Sequence, residues 1–225
     1  SNAMNELKHL AVVMDGNRRW ARAKGFLAKL GYSQGVKTMQ KLMEVCMEEN
    51  ISNLSLFAFS TENWKRPKDE IDFIFELLDR CLDEALEKFE KNNVRLRAIG
   101  DLSRLEDKVR EKITLVEEKT KHCDALCVNL AISYGARDEI IRAAKRVIEK
   151  KLELNEENLT QNLDLPLDVD LMLRVGNAKR LSNFLLWQCS YAEIYFSETL
   201  FPSLTKREFK RIIKEFRNRE RTFGK

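Results

Sequence analysis

Prolines are scarce in this chain, three in 225 residues, and there are only eight glycines. That scarcity excludes a Pro/Gly-rich linker or low-complexity segment, and no internal repeat is visible. Histidines are fewer still. With only His9 and His122, neither a histidine metal cluster nor a Ser-His-Asp triad can be assembled. No long apolar run occurs either: residues 125–132 and 183–187 fall far short of the roughly 20 residues needed to span a bilayer. No charged-then-apolar leader precedes the first apolar segment, and the expectation is a cytoplasmic protein. The five cysteines (Cys46, Cys81, Cys123, Cys127, Cys189) are odd in number and scattered, which fits reduced packing thiols rather than a disulfide framework. A net charge of +4 from 40 basic and 36 acidic side chains is too mild to indicate nucleic-acid binding.

What is present begins with 44% apolar residues, enough for a sizeable core in one domain. Ser1-Asn2-Ala3 before Met4 reads as an expression remnant, so the domain is set at residues 4–225. Apolar β-rich runs stand near 9–14, 53–59, 94–99, 125–132, 170–174 and 192–196, with helical patterns separating nearly all of them. The alternation predicts a single α/β domain with a mostly parallel sheet of about six strands flanked by helices. A helix is expected over 67–92, opening at Pro67. Its apolar residues, from Ile71 to Phe89, cover about 220° of circumference, against the ≳100° stripe of a helix that merely covers a sheet. A dimer interface, a deep core position and one wall of a hydrophobic ligand cavity all remain open for it. Residues 206–225 hold nine Lys/Arg against three Glu, on a helix whose Phe209, Ile212, Ile213 and Phe216 face inward; the basic face is either solvated or meets an anionic ligand or membrane surface.

Chemistry is expected at the strand tips, because ligands of parallel α/β sheets sit at the carboxyl ends of the strands. The first tip reads Asp15-Gly16-Asn17-Arg18-Arg19-Trp20. Gly16 permits close approach of a ligand and Arg19 can fork onto a phosphate, yet Asp15 repels an anion. A divalent cation such as Mg²⁺ bridging the carboxylate to phosphate oxygens resolves that conflict. A second tip carries Ser60-Thr61-Glu62-Asn63-Trp64-Lys65-Arg66, and a third carries Arg174, Lys179, Arg180 and Ser182. Glu193, an acid inside the apolar run Tyr191–Phe196, needs either an arginine or a metal as partner. Asp168-x-Asp170 is assigned to a turn before a strand.

The blocks MDGNRRW, FSTENWKRP and RLSNFLLWQCSYAEIYF resemble those of the cis-prenyltransferases, and the ordering from residue 9 to 224 is similar to bacterial members that make undecaprenyl diphosphate. The resemblance implies a Mg²⁺-dependent homodimer that condenses isopentenyl diphosphate onto farnesyl diphosphate to build the lipid carrier precursor of cell-wall glycans. It implies a hydrophobic tunnel, and transient contact of the cytoplasmic enzyme with the inner membrane surface for product release. Asp15 is then the catalytic acid, joined by Asn63. Gly16, Asn17, Arg18, Arg19, Trp20, Lys29 and Tyr32 serve the farnesyl diphosphate side, while Arg174, Arg180 and Ser182 hold isopentenyl diphosphate. Ser60, Thr61, Glu62, Trp64 and Arg66 orient the substrates, and Glu193 completes the metal site begun by Asp15, for the neighbouring subunit as well as for its own. The all-helical trans-prenyltransferases are excluded, because Asp-Asp-x-x-Asp is absent.

The chain also departs from the family pattern. Ala28 stands where relatives carry an arginine, with Lys29 beside it, and Tyr32 replaces a histidine. Ala178 removes a carboxylate, and Thr222, in Arg219-Glu220-Arg221-Thr222, replaces an arginine of the C-terminal ending. These four changes are the support for a second reading, a non-catalytic partner subunit, and a product shorter than undecaprenyl is a third.

Overall fold

A computed structural model describes residues 5–220 and 222–225; the remnant, the expected start at Met4, and Arg221 lie outside the described residues. Six strands form one sheet: β1 (His9–Val13), β2 (Asn53–Ser60), β3 (Val94–Ile99), β4 (Leu126–Tyr134), β5 (Leu171–Arg174) and β6 (Glu193–Phe196). Their order is β3-β4-β2-β1-β5-β6, and every pairing is parallel, so the expected "mostly parallel" sheet is wholly so. β1, β4 and β5 are buried almost without break, as strands covered on both faces must be.

Seven helices flank the sheet among the described residues: α1 (Asn17–Ala23), α2 (Ala28–Glu48), α3 (Lys68–Lys88), α4 (Asp107–Thr120), α5 (Ala136–Glu149), α6 (Glu156–Gln161) and α7 (Lys206–Arg217). One core packs under α2, α3, α4 and α7 around Leu10, Val12, Leu54, Leu56, Leu96 and Val128. A smaller one on the opposite face gathers Ala11, Val13, Tyr134, Met172, Phe184 and Leu185. Phe209, Ile212, Ile213 and Phe216 of α7 all point into the first core. All five cysteines are free thiols. The expected helix over 67–92 is shorter. Pro67 is its N-cap, α3 ends at Lys88, and Glu90–Asn92 form a 3-10 turn before Asn93, whose φ of 58° turns the chain into β3.

Topology places the site. The chain leaves β1 toward β2 on one side, whereas it leaves β5 toward β6 on the other. The crevice between the β1 and β5 tips is thus the switch point where parallel sheets bind ligands.

Candidate functional site

A cavity of about 940 Å³ opens over the tips of β1, β2 and β5. It is lined by Asp15, Gly16, Asn17, Arg18, Arg19, Tyr32, Ser60, Glu62, Asn63, Arg66, Arg174 and Ser182, so the three strand tips read from sequence do converge. Asp15 is its charged centre: Arg174 Nη2 lies 3.1 Å from Oδ2 and Arg19 Nη2 lies 3.4 Å from Oδ1. The repulsion foreseen for an anion beside Asp15 is therefore already offset by two guanidinium groups.

Arg174 is buried, a costly position for a charge unless it is paired and hydrogen-bonded. Its Nη1 donates to the Arg180 carbonyl (2.8 Å) and the Ser182 hydroxyl (2.5 Å), which folds the following loop around it. That loop takes positive φ at Gly176 (93°), Asn177, Ser182, Asn183 and Leu185. Such strain persists only where surrounding structure over-determines it, and it collects at functional sites. Gly176 is required: a Cβ would lie 2.8 Å from the Asp15 backbone carbon and from its Cβ. Below the loop, Glu139 is fully buried. It accepts from Gln188 Nε2 (3.1 and 3.2 Å), the Leu165 amide (3.1 Å) and the Tyr134 hydroxyl (2.5 Å). Burial pushes the Glu139 carboxyl above its ordinary range, although these donors pull the other way. Asn183 fastens the loop's other end, its carbonyl and side-chain oxygen accepting from the first two amides of α5 (2.8 and 3.0 Å).

On the β1 side, α1 packs closely on α2. A Cβ at Gly31 would sit 1.9 Å from the Asn17 carbonyl oxygen, and one at Gly35 would sit 2.8 Å from Asn17 Oδ1. Each glycine in a helix interior costs about 1 kcal/mol relative to alanine; here they admit Asn17, whose buried Oδ1 has no hydrogen-bond partner. The β2 tip turns through a capping box in which the Asn63 amide donates to Ser60 Oγ (3.2 Å) and the Ser60 amide donates to Asn63 Oδ1 (3.0 Å). Asn63 Oδ1 thus serves the fold, leaving Nδ2 to the cavity that Asn63 lines.

The remaining candidates lie around the cavity rather than in its wall. Trp64 packs between Phe59 and Phe75 and donates from Nε1 to Ser133 (3.0 Å), anchoring the β2 tip. Thr61 abuts Gly135, Trp20 packs on Phe26, and the Lys29 ammonium sits 5.1 Å over the Phe73 ring. Arg180 supplies its carbonyl to Arg174, and its side chain is not among the cavity-lining groups. Glu193 opens β6 in register with Leu171 and hence, through β5, with Leu10. It stands at the amino end of the strands, where Arg219 approaches to 3.8 Å, a strand's length below Asp15. Asp168-x-Asp170 is the expected turn before β5, and Asp170 Oδ2 accepts from the Lys8 and His9 amides (both 2.9 Å).

The structure adds residues that sequence reading missed. Glu70, in the first turn of α3, accepts from the Tyr32 hydroxyl (2.8 Å) and from Arg66 Nη1 (2.7 Å), and Arg18 lies 3.6 Å away. Burial favours the neutral acid, but the Tyr32 and Arg66 hydrogen bonds outweigh it and hold the Glu70 carboxyl below its usual range. Burial, then the bond to Glu70, pushes the Tyr32 hydroxyl up to about 12. Tyr32, at the family's histidine position, thus ties α2 to α3 across the cavity. Its spacing from Glu70 offered no signal. Arg22, Arg137 and Asn183 also line the wall.

A second cavity, about 390 Å³ and apolar, lies between α2 and α3 on the sheet, with Met39, Met43, Leu56, Leu82, Leu96 and Val128 among its walls. Gln40 and Lys88 both bond Glu84 at its rim (3.0 and 2.9 Å). Ile74 of α3 lines the polar cavity and packs on the core beneath it.

A prenyltransferase family model described as putative undecaprenyl diphosphate synthase matches residues 13–224. An isoprenyl transferase of Wolinella succinogenes is 47% identical over 223 residues, 98% of each chain, and one of Helicobacter pylori is 43% identical, covering 98% of this chain and 97% of that one. Among solved structures, a probable undecaprenyl diphosphate synthase from Campylobacter jejuni has 94% identity and a TM-score of 0.89, covering 99% of this chain and 100% of the other. Lavandulyl diphosphate synthase from Lavandula x intermedia, in complex with dimethylallyl diphosphate, has 29% identity and a TM-score of 0.91, covering 97% and 98%.

Proposed function

The chain belongs to the undecaprenyl diphosphate synthase family of prenyltransferases, and on that premise we propose that it condenses isopentenyl diphosphate units onto farnesyl diphosphate with cis geometry to make undecaprenyl diphosphate. One observation carries this reading: a carboxylate set between two arginines stands in a polar cavity that lies beside an apolar one. The allylic carbon–oxygen bond breaks, the double bond of isopentenyl diphosphate forms the new carbon–carbon bond, a proton is lost, and diphosphate leaves.

Asn17, Arg18 and Arg19 hold the allylic diphosphate, with Arg66 and Tyr32 at the edge of the same wall. Ser182 and the Arg174–Arg180 loop hold the incoming diphosphate. Asn63, fixed by its capping box, orients the reacting ends from the β2 tip. The hydrocarbon extends past Ile74 into the apolar cavity between α2 and α3, and the two cavities form one tunnel.

The residues fit Mg²⁺ in the way that ion is commonly bound, through one or two carboxylates plus substrate phosphate oxygens: Asp15 offers a half-buried carboxylate, and no cluster of three or more candidate ligands occurs among the described residues. When bound, Mg²⁺ neutralises charge that develops on the departing diphosphate. Glu193 of the same chain stands at another level of the sheet, so a metal role for it belongs to the site of a second copy in a homodimer. Among the described residues no helix is long and apolar enough to cross a membrane. In the proposed reading the enzyme works in the cytoplasm and meets the inner face of the membrane to release product.

The test is incubation of the purified chain with farnesyl diphosphate, radiolabelled isopentenyl diphosphate and Mg²⁺, with chain length read by reverse-phase chromatography. An EDTA-sensitive product of undecaprenyl length is expected. A shorter product would shift the tunnel's closing residues, and none from a folded chain would favour the partner-subunit reading.

A further inference from the structure

Between Asp15 and Glu44 the sequence has no acidic residue and seven basic ones: Arg18, Arg19, Arg22, Lys24, Lys29, Lys37 and Lys41. The whole chain carries only +4, so the remainder is on balance acidic. The other basic segment, α7, is largely compensated: Lys206 pairs with Glu44 and Glu48, Lys210 with Glu48, and Arg217 with Glu49.

Inside the acid-free stretch, the turn from α1 to α2 presents Phe26, Leu27 and Leu30 to solvent, with 48%, 77% and 51% of their surfaces exposed. Three large apolar side chains within five residues form a patch, unlike apolar residues exposed singly, which need no explanation. Leu27 is the sharpest case. It occupies the N-cap of the 21-residue α2 and makes no side-chain cap bond, where Ser, Thr, Asp or Asn would be strongly preferred. In water this leucine forgoes a cap and exposes hydrocarbon; in an apolar phase its burial offsets both. Beside it, Phe26 lies against Trp20 (centroids 6.0 Å apart), with the Lys24 ammonium 5.4 Å over the indole. Aromatic and aliphatic groups inserted at one level with cations just above are how a protein holds an anionic lipid interface. The position suits this: Arg18, Arg19 and Arg22, on the adjoining helix, line the polar cavity, so the patch stands at its mouth.

We propose that the corner formed by residues 22–30 is a membrane-docking surface, with Phe26, Leu27 and Leu30 entering the headgroup–acyl boundary of an anionic bilayer while Arg22 and Lys24 engage lipid phosphates. This names the surface for the membrane contact proposed above and rests on that reading for its purpose. The binding itself requires no turnover, so the two ideas fail separately.

The experiment is sedimentation of the whole chain with phosphatidylcholine vesicles, with and without about a third phosphatidylglycerol, at low and high salt. Salt-sensitive binding is expected only to the anionic vesicles. Leu27→Ser and Leu30→Gln should each lower the partition coefficient about tenfold. Leu27→Ser should leave the melting temperature unchanged or raised, because serine caps α2. Leu154→Ser, altering a leucine 58% exposed beyond the far end of α5, should bind as the parent does. The proposal is overturned if the parent ignores anionic vesicles, if neutral vesicles bind equally, or if both α2 variants partition like the parent. It is also overturned if Leu154→Ser loses binding to the same extent.

Discussion

On the β1 side of the cavity, Arg18 and Arg19 project from a seven-residue helix with about half of each side chain in solvent, whereas on the β5 side Arg174 keeps only 7%. The first wall is built by close helix packing and carries half-exposed cations. The second is a strained loop wrapped around one buried guanidinium and fastened from below by Glu139. In the proposed reaction the allylic substrate lengthens with every cycle while the incoming unit never changes. In that reading the half-exposed wall faces the allylic diphosphate, whose growing tail leaves through the apolar cavity, and the buried wall faces the constant unit.

Asp15 joins the two walls, and removing it should have the largest effect. Asp15→Ala is expected to lower kcat by about 10³-fold, as loss of a group that acts on transition-state charge does. Circular dichroism should show a folded chain; an unfolded one would mean that Asp15 serves the scaffold instead.

The strands beneath both walls meet at His9, whose Nδ1–H donates to the Asp168 carbonyl (3.0 Å) while Nε2 accepts from Ser55 (2.7 Å). Burial holds this imidazole at about 4, against the Asp168 bond that would raise it. The unfolded chain therefore binds the proton more readily. Stability is complete above the unfolded value near 6.5 and falls as pH drops toward 4, by on the order of 3 kcal/mol. Urea midpoints across that range should fall in the parent and stay flatter in His9→Gln.

Glu139→Gln probes the fixed wall alone. An amide presents two protons where Tyr134, Gln188 and Leu165 all donate, at a cost of about 1–3 kcal/mol. The melting temperature should drop by a few degrees and the KM for isopentenyl diphosphate should rise about tenfold, with that for farnesyl diphosphate little changed. Equal shifts in both constants would erase the distinction between the walls. Gly35→Ala tests the other wall more gently. It improves helix propensity yet intrudes on Asn17, so the KM for farnesyl diphosphate should rise about fivefold, roughly 1 kcal/mol of overpacking. In an Asn17→Ala background the same change should have no further effect on that constant, and additivity would show that the two residues act independently.

Much of this was legible in the chain. Period and β-branched runs located all six strands to within two residues, and polar clusters at three strand tips named most of the cavity wall. What escaped detection depends on contacts across sequence. Glu70 looked like an ordinary first-turn acid, since nothing local shows that Tyr32 and Arg66 converge on it. Glu139 follows Arg137 and Asp138 in the first turn of an amphipathic helix, and only the docking of Gln188 makes it a buried anchor. The block named Glu193, but only the register of β6 shows that it stands at the opposite end of the sheet from Asp15 of its own chain. Trp64 and Thr61 belong to the β2-tip block, but their partners, Ser133 and Gly135, come from β4 and the turn after it, and these contacts, which brace the tip, have no local signal.

The contact between Arg174 and Asp15 spans 159 residues. At translation rates of about 5–20 residues per second, the first wall leaves the ribosome roughly ten to thirty seconds before the second. During that interval the β1 segment has no Arg174 to balance Asp15 and no β5 beside β1, so the proposed reaction centre cannot assemble on the nascent chain. Competence arrives late in synthesis, when the last third of the polypeptide closes the sheet from its other side.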